Sequence, residues 1–195
     1  MTSTPAPASN DPQRARLAAF VGELGVVRGR VVLSSGKESD YYVDMRRVTL
    51  HQEAGPLLGH VLLDLLEEEG LGAGEIDAVG GLTLGADPVA TAIMHAASSR
   101  GQGVDAFVVR KEAKAHGMQR RIEGPDIAGR RVVVVEDTST TGGSALTAAH
   151  AVAEAGAEIA AVLVVLDRAT GAREAVEEAG HRYLNALELA DVGLA

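Results

Sequence analysis

The stretch VVVVEDTSTTGGSALTAAHAVAEAG, Val132 to Gly156, sets two acids, Glu136 and Asp137, directly before a run of hydroxyls and glycines. Thr138, Ser139, Thr140, Thr141 and Ser144 surround Gly142 and Gly143, and an alanine-rich helical pattern follows. A glycine-rich turn at a helix start offers unpaired backbone N–H groups and a positive dipole end, which together cradle a phosphate. Two carboxylates at its mouth should repel that phosphate unless they serve another part of the same ligand. A phosphorylated sugar removes the conflict: its hydroxyls donate to the acids, and the acids favour positive charge developing at its anomeric carbon. Ribose 5-phosphate fits. No GKS or GKT is present, so this is not an ATP-type P-loop, and no GxGxxG marks a dinucleotide fold. The plainer alternatives are a tight strand-to-helix turn and a pair of acids capping the helix.

Elements of defined type must position these groups. Asp11 to Leu24 has helical spacing of Leu17, Phe20, Val21 and Leu24, with Asp11 as N-cap and Pro12 as first helical residue. Val26–Leu33 and Tyr41–Asp44 read as short strands around SSGKESD, and Glu53–Glu69 as an amphipathic helix. Ile76–Gly81, Asp105–Val109, Arg131–Val135 and Glu158–Leu166 are apolar runs of strand length separated by helical or loop stretches. Their hydrophobicity is continuous rather than alternating, so both faces are covered, and the prediction is an α/β fold with a central parallel sheet and helices on both sides. Two segments break the rhythm: the glycine-rich turn GGLTLGADP, Gly81 to Pro88, and RKEAKAHGMQRRIEGP, Arg110 to Pro125, a basic stretch at a place where the rhythm calls for a helix. A long charged loop in a compact domain is usually functional or disordered.

Bulk composition narrows the partners. A length of 195 residues suits one domain, placed at 11–195 after a disordered tail at 1–10. Eighteen Lys plus Arg against 27 Asp plus Glu give a net charge of −9, which argues against nucleic acid as a partner and makes any phosphate site local. The chain has no cysteine, no apolar run of spanning length and no basic-apolar leader at its start, so the expectation is a cytoplasmic protein without membrane contact.

VVVVEDTSTTGGSAL resembles the phosphoribosyl-pyrophosphate (PRPP) motif of the type I phosphoribosyltransferases, and RKEAKAHG resembles the mobile catalytic loop of the members that act on orotate. SGKESDYYVDMRRV, GGLTLGADPVATAI and DRATG match in the same order. The resemblance implies a type I phosphoribosyltransferase fold with a small hood, and a Mg²⁺-dependent transfer of ribose 5-phosphate from PRPP to orotate in pyrimidine synthesis. It also implies a homodimer whose loop 110–117 completes the partner's site. Arg110, Lys111, Lys114 and His116 are then expected on the pyrophosphate, with Lys114 and Asp137 catalytic, Glu136 to Ser144 on PRPP, and Thr140, Arg168, Tyr41 and Tyr42 on orotate. Mg²⁺ is expected to ride on PRPP and water with no direct protein ligand. Packing of the tyrosines, a solvated basic loop, and a salt bridge of Arg168 with Asp167 or Glu174 are the alternatives. A phosphoribosyltransferase for another base and a PRPP-sensing regulator are the rival functions. Ser34 stands where many members have lysine, the Gly81–Pro88 turn lacks their Tyr-Lys pair, and Glu136 replaces the usual aspartate; Lys37 or Arg30 is expected to compensate.

Overall fold

The computed structural model describes residues 11–32, 38–111 and 121–194. The tail at 1–10, Ser34, Lys37, Lys114, His116 and Gly117 lie outside the described residues. Helix α1 (Pro12–Phe20) starts as its sequence predicts, with the Asp11 carboxylate accepting from the Gln13 and Arg14 amides at 2.9 and 3.3 Å. It runs through a wider π-type turn, Val21–Gly25, into an antiparallel hairpin of β1 (Val26–Val32) and β2 (Glu38–Val43). This hairpin is a sheet of its own. It meets the C-terminal end of the chain, where Arg28 Nη2 donates to the Gly193 carbonyl at 3.2 Å. A short helix α2 (Arg46–Thr49) and the long α3 (Ala54–Glu68) lead into the main sheet.

That sheet has six strands: β3 (Ala78–Leu82), β4 (Asp105–Val109), β5 (Ile122–Glu123), β6 (Arg131–Ser139), β7 (Glu158–Asp167) and β8 (Tyr183–Glu188). Their order is β5-β4-β3-β6-β7-β8, parallel except for β5. The basic stretch after β4 is described only at its ends, where Val109 pairs antiparallel with Ile122; residues 112–120 lie outside the described residues.

The two-sided burial predicted from the valine runs is present. Val133, Val135, Leu163 and Val165 share one core with α3 and with α4 (Ala86–Ser99). Val132, Val134, Val162 and Val164 share the other with α5 (Gly143–Glu154) and α6 (Ala172–Glu178). Helix α4 thus carries the chain from β3 to β4 on one face, whereas α5 carries it from β6 to β7 on the other. Chain direction diverges between β3 and β6, and in open α/β sheets a crevice opens there, beyond the carboxyl ends of the strands. No helix among the described residues is long and apolar enough to cross a membrane.

Helices α3 and α4 meet so closely that a Cβ on Gly59 would lie 2.2 Å from the Ala92 carbonyl oxygen. Backbone cannot yield as a flexible side chain would, so Gly59→Ala should lower unfolding free energy by roughly 1–3 kcal/mol, the range for overpacking. At Gly103 an added Cβ meets nothing within 4 Å, and Gly103→Ala should leave stability nearly unchanged. Urea melts of both variants check the contrast.

Candidate functional site

The crevice is floored by the end of β6. Glu136 is 6% exposed and Asp137 half-buried, and the turn joining β3 to α4 lies directly over them. A Cβ on Gly85 would come within 2.7 Å of Asp137 Oδ1 and 2.8 Å of Glu136 Oε1, so any larger residue would have to displace the two carboxylates on which this turn rests. Burial above all, then the charge of Asp137, pushes the Glu136 carboxyl up to about 8. Burial likewise raises Asp137, against the amide of Thr138, which donates to its Oδ1 at 2.7 Å. Glu136 Oε2 and Thr138 Oγ1 are buried without a hydrogen-bond partner, which points polar groups at a ligand.

The turn expected to cradle phosphate joins β6 to α5. Gly142 caps α5 in the left-handed region, φ 76°, with no side chain bonded to the helix start. Thr140, Thr141, Gly143 and Ser144 are exposed, while Ser139 is buried within the strand end. The loop is fixed from β7's side: Thr170 Oγ1 donates to the Thr140 carbonyl at 2.6 Å and the Arg168 amide to the Ser139 carbonyl at 3.1 Å. Asp167, buried, accepts from the Ala169 amide at 2.9 Å and holds Ala169 at φ 51°.

This turn aims Arg168 over the hairpin, its Cζ lying 5.7 Å from the Tyr41 ring centroid. Arg168 makes no ion pair with Asp167 or Glu174 among the described residues, and its Nε is buried without a partner. Tyr42 is on the opposite face of the strand and is exposed.

The basic loop is only partly brought in. Arg110 pairs with Glu123 at 3.5 Å, and the Arg121 side chain donates to the Arg110 and Lys111 carbonyls at 3.3 and 3.4 Å, cinching the stem. Lys111 lies near enough to Glu136 for its charge to favour the ionised carboxylate. Lys114 and His116 lie outside the described residues. Gly85, Thr170, Asp167 and Arg46 lie inside the quoted motifs, which assign them no role in the site. Asp167 acts on its own turn, whereas Gly85, Thr170 and Arg46 act on groups far away in sequence.

Residues 51–179 match the family model for the phosphoribosyl transferase domain. The chain is 60% identical over 183 residues to an orotate phosphoribosyltransferase of Mycobacterium tuberculosis, spanning 94% of this chain and 98% of the relative. A Streptomyces coelicolor orotate phosphoribosyltransferase is 60% identical over 182 residues, 93% of this chain and 97% of that one. The chain belongs to the orotate phosphoribosyltransferases. The crystal structure of the Mycobacterium tuberculosis orotate phosphoribosyltransferase in complex with PRPP superposes with a TM-score of 0.80 at 55% identity, covering 94% of this chain and all of that one (100%). Membership of the orotate phosphoribosyltransferases carries the expected fold with it, a mostly parallel sheet between two helical layers.

The buried acid of this orotate phosphoribosyltransferase makes a pH signature. The folded Glu136 value, about 8, exceeds that of an unfolded carboxylate, so the folded state holds a proton the unfolded state has lost. That contribution is complete at pH below the unfolded value and is lost as pH rises through about 8. Glu136→Gln, neutral throughout, should therefore match the parent near pH 4–5 and exceed its stability at pH 9 by up to about 4 kcal/mol. Urea denaturation of the ligand-free proteins across that range reads the gap; no widening with pH would mean the carboxylate is already compensated.

Proposed function

We propose that this chain transfers the ribose 5-phosphate group from PRPP to orotate, giving orotidine 5′-monophosphate and pyrophosphate. The observation that carries the reading is the juxtaposition of an acid pair, a hydroxyl-lined helix start and an arginine stacked near a tyrosine in one crevice. The 5-phosphate sits against the amides of Gly143 and Ser144 and the hydroxyls of Thr138 to Thr141 and Ser144. Glu136 and Asp137 take the ribose hydroxyls. As the C1–O bond breaks, positive charge grows on the ring, and ionised Asp137 favours it most at that moment. Glu136, largely neutral at pH 7 with a value near 8, can donate as well as accept a hydrogen bond.

Arg168 presents a planar fork to the orotate carboxylate, and Tyr41 beneath it offers a flat apolar face to the ring. Arg110, Lys111, Lys114 and His116 neutralise the departing pyrophosphate. Mg²⁺ carried with PRPP would supply further charge neutralisation at the pyrophosphate. The unpartnered Glu136 Oε2 and the adjacent Asp137 suit a ligand that brings a cation with it.

The partner is a second copy. Leu50 and Leu84 are 73% and 69% exposed, and Leu84 belongs to the turn lying on the acids, which supports an interface bordering the crevice. A transferase for another base and a sensor without catalysis are separated from this reading by following orotate absorbance on addition of PRPP and Mg²⁺.

Arg168→Ala should weaken orotate binding by about 1.5–3 kcal/mol, the range for hydrogen bonds to charged groups, with PRPP affinity nearly unchanged. Isothermal titration with each substrate checks it, and equal losses for both would point to a damaged fold. For the shared loop, Lys114→Ala and Asp137→Asn homodimers should each be nearly inactive. Co-expressed in equal amounts they form about half mixed dimers, each with one intact site if loops act across the interface, restoring roughly a quarter of parental activity. Activity no higher than the mean of the two variants, with mixed dimers confirmed by mass, would place each loop over its own site.

A further inference from the structure

We infer that Arg46 binds the diphosphate end of PRPP, an assignment that rests on the PRPP reading above. Arg46 opens α2, and its side chain is exposed. Asp44 grips it at two points, Nε to Oδ1 at 2.8 Å and Nη2 to Oδ2 at 3.1 Å, while the Arg46 amide donates to the same Oδ1 at 3.2 Å. These bonds hold the Asp44 carboxyl below its usual range. Nη1 makes no hydrogen bond among the described residues. The guanidinium is thus fixed in direction with donors left over, the condition under which an arginine fork meets phosphate oxygens with little further ordering.

Its position matches the ligand. Arg46 is close enough to Asp137 for each charge to favour the other, and it borders, with Leu84, Asp87 and His95, a groove of about 970 Å³. Leu84 and Gly85 belong to the turn that rests on the acid pair, so Arg46 stands where that turn stands. The 5-phosphate cradle is built by other segments, 140–144 braced by 168–170. C5 and C1 leave opposite ends of a ribose ring. A ligand with its phosphate in the cradle and its ring on the acids therefore sends its C1 diphosphate away from the cradle and toward the turn. Thr83, Leu84 and Gly85 bring no positive side chain there. Arg46 adds a fixed guanidinium on this side of the crevice to the charges of the loop that follows β4. Arg30, the substitute expected from the sequence, is exposed on β1, and Lys37 lies outside the described residues.

The test is calorimetric titration of PRPP, inorganic pyrophosphate and ribose 5-phosphate, each with Mg²⁺, into the full chain and three variants. Arg46→Ala should lose about 10- to 100-fold in affinity for PRPP and pyrophosphate and keep its affinity for ribose 5-phosphate. Arg46→Lys, which keeps charge without the fork, should fall between. Arg47→Ala, whose exposed side chain makes no hydrogen bond among the described residues, should stay within about twofold of the parent. If the parent binds PRPP and Arg46→Ala binds PRPP and pyrophosphate equally well, the assignment is wrong while the PRPP reading stands. A parent that binds no PRPP removes both. Parallel loss of ribose 5-phosphate, or a change in oligomeric mass with the loss, would assign Arg46 to the architecture instead and overturn the inference.

Discussion

Two carboxylates are buried side by side at the end of the central strand, and most of the crevice is arranged around that cost. Desolvation raises both, and the charge of Asp137 adds to the rise of Glu136, to about 8. A hydrophobic sheet end would be more stable, since buried like charges are tolerated only where something compensates them. The compensation here is partial: the Thr138 amide on Asp137, the nearby charges of Arg46 and Lys111, and a proton on Glu136. The remainder is left for a ligand with hydroxyl donors and cationic character. Stability is exchanged for a site already shaped to the state in which a sugar carbon turns positive.

Topology explains why these acids share a ligand with an anion cradle. At the divergence between β3 and β6, one strand end passes into α4 and the other into α5, on opposite faces. Gly85 closes the β3 side onto the carboxylates, and Gly142 opens the β6 side into free amides. Attraction and repulsion of phosphate are thereby separated by about the width of one strand-to-helix turn. In the proposed binding mode the ligand's own ribose stands between the acids and the phosphate, so the acids do not oppose it.

The strands of continuous valine were legible because two-sided burial leaves no polar face to read as a helix or loop. Asp11 and Pro12 announced α1 through local capping chemistry. β8 was not legible: Asn185 interrupts its apolar run, and its pairing with β7 is a tertiary event. The same holds for β5, two residues long, whose strand character comes from β4 opposite. In the site, the acids, hydroxyls and glycines follow one another in the chain and could be read together. Arg46 and Thr170 act on groups about ninety and thirty positions away, a relation that only folding creates.

A chain of net charge −9 that binds a polyanion faces an apparent contradiction in its field. Screening resolves it: at about 0.1 M salt, exposed charges beyond roughly 10 Å contribute little, so binding depends on the few groups nearest the ligand. Many of the acids lie away from the crevice in surface pairs such as Arg16–Glu53 and Arg131–Glu158. Near the crevice the order is reversed. Arg168 stands over Tyr41, Arg46 is held by Asp44, and Arg110 and Lys111 leave β4 on a stem tied by Arg121. Arg46 and Arg110 are each set by a carboxylate, and Arg168 by the Tyr41 ring, before any ligand arrives, so for these three much of the ordering cost falls on folding rather than on binding, and the acidic surface remains a matter of solubility.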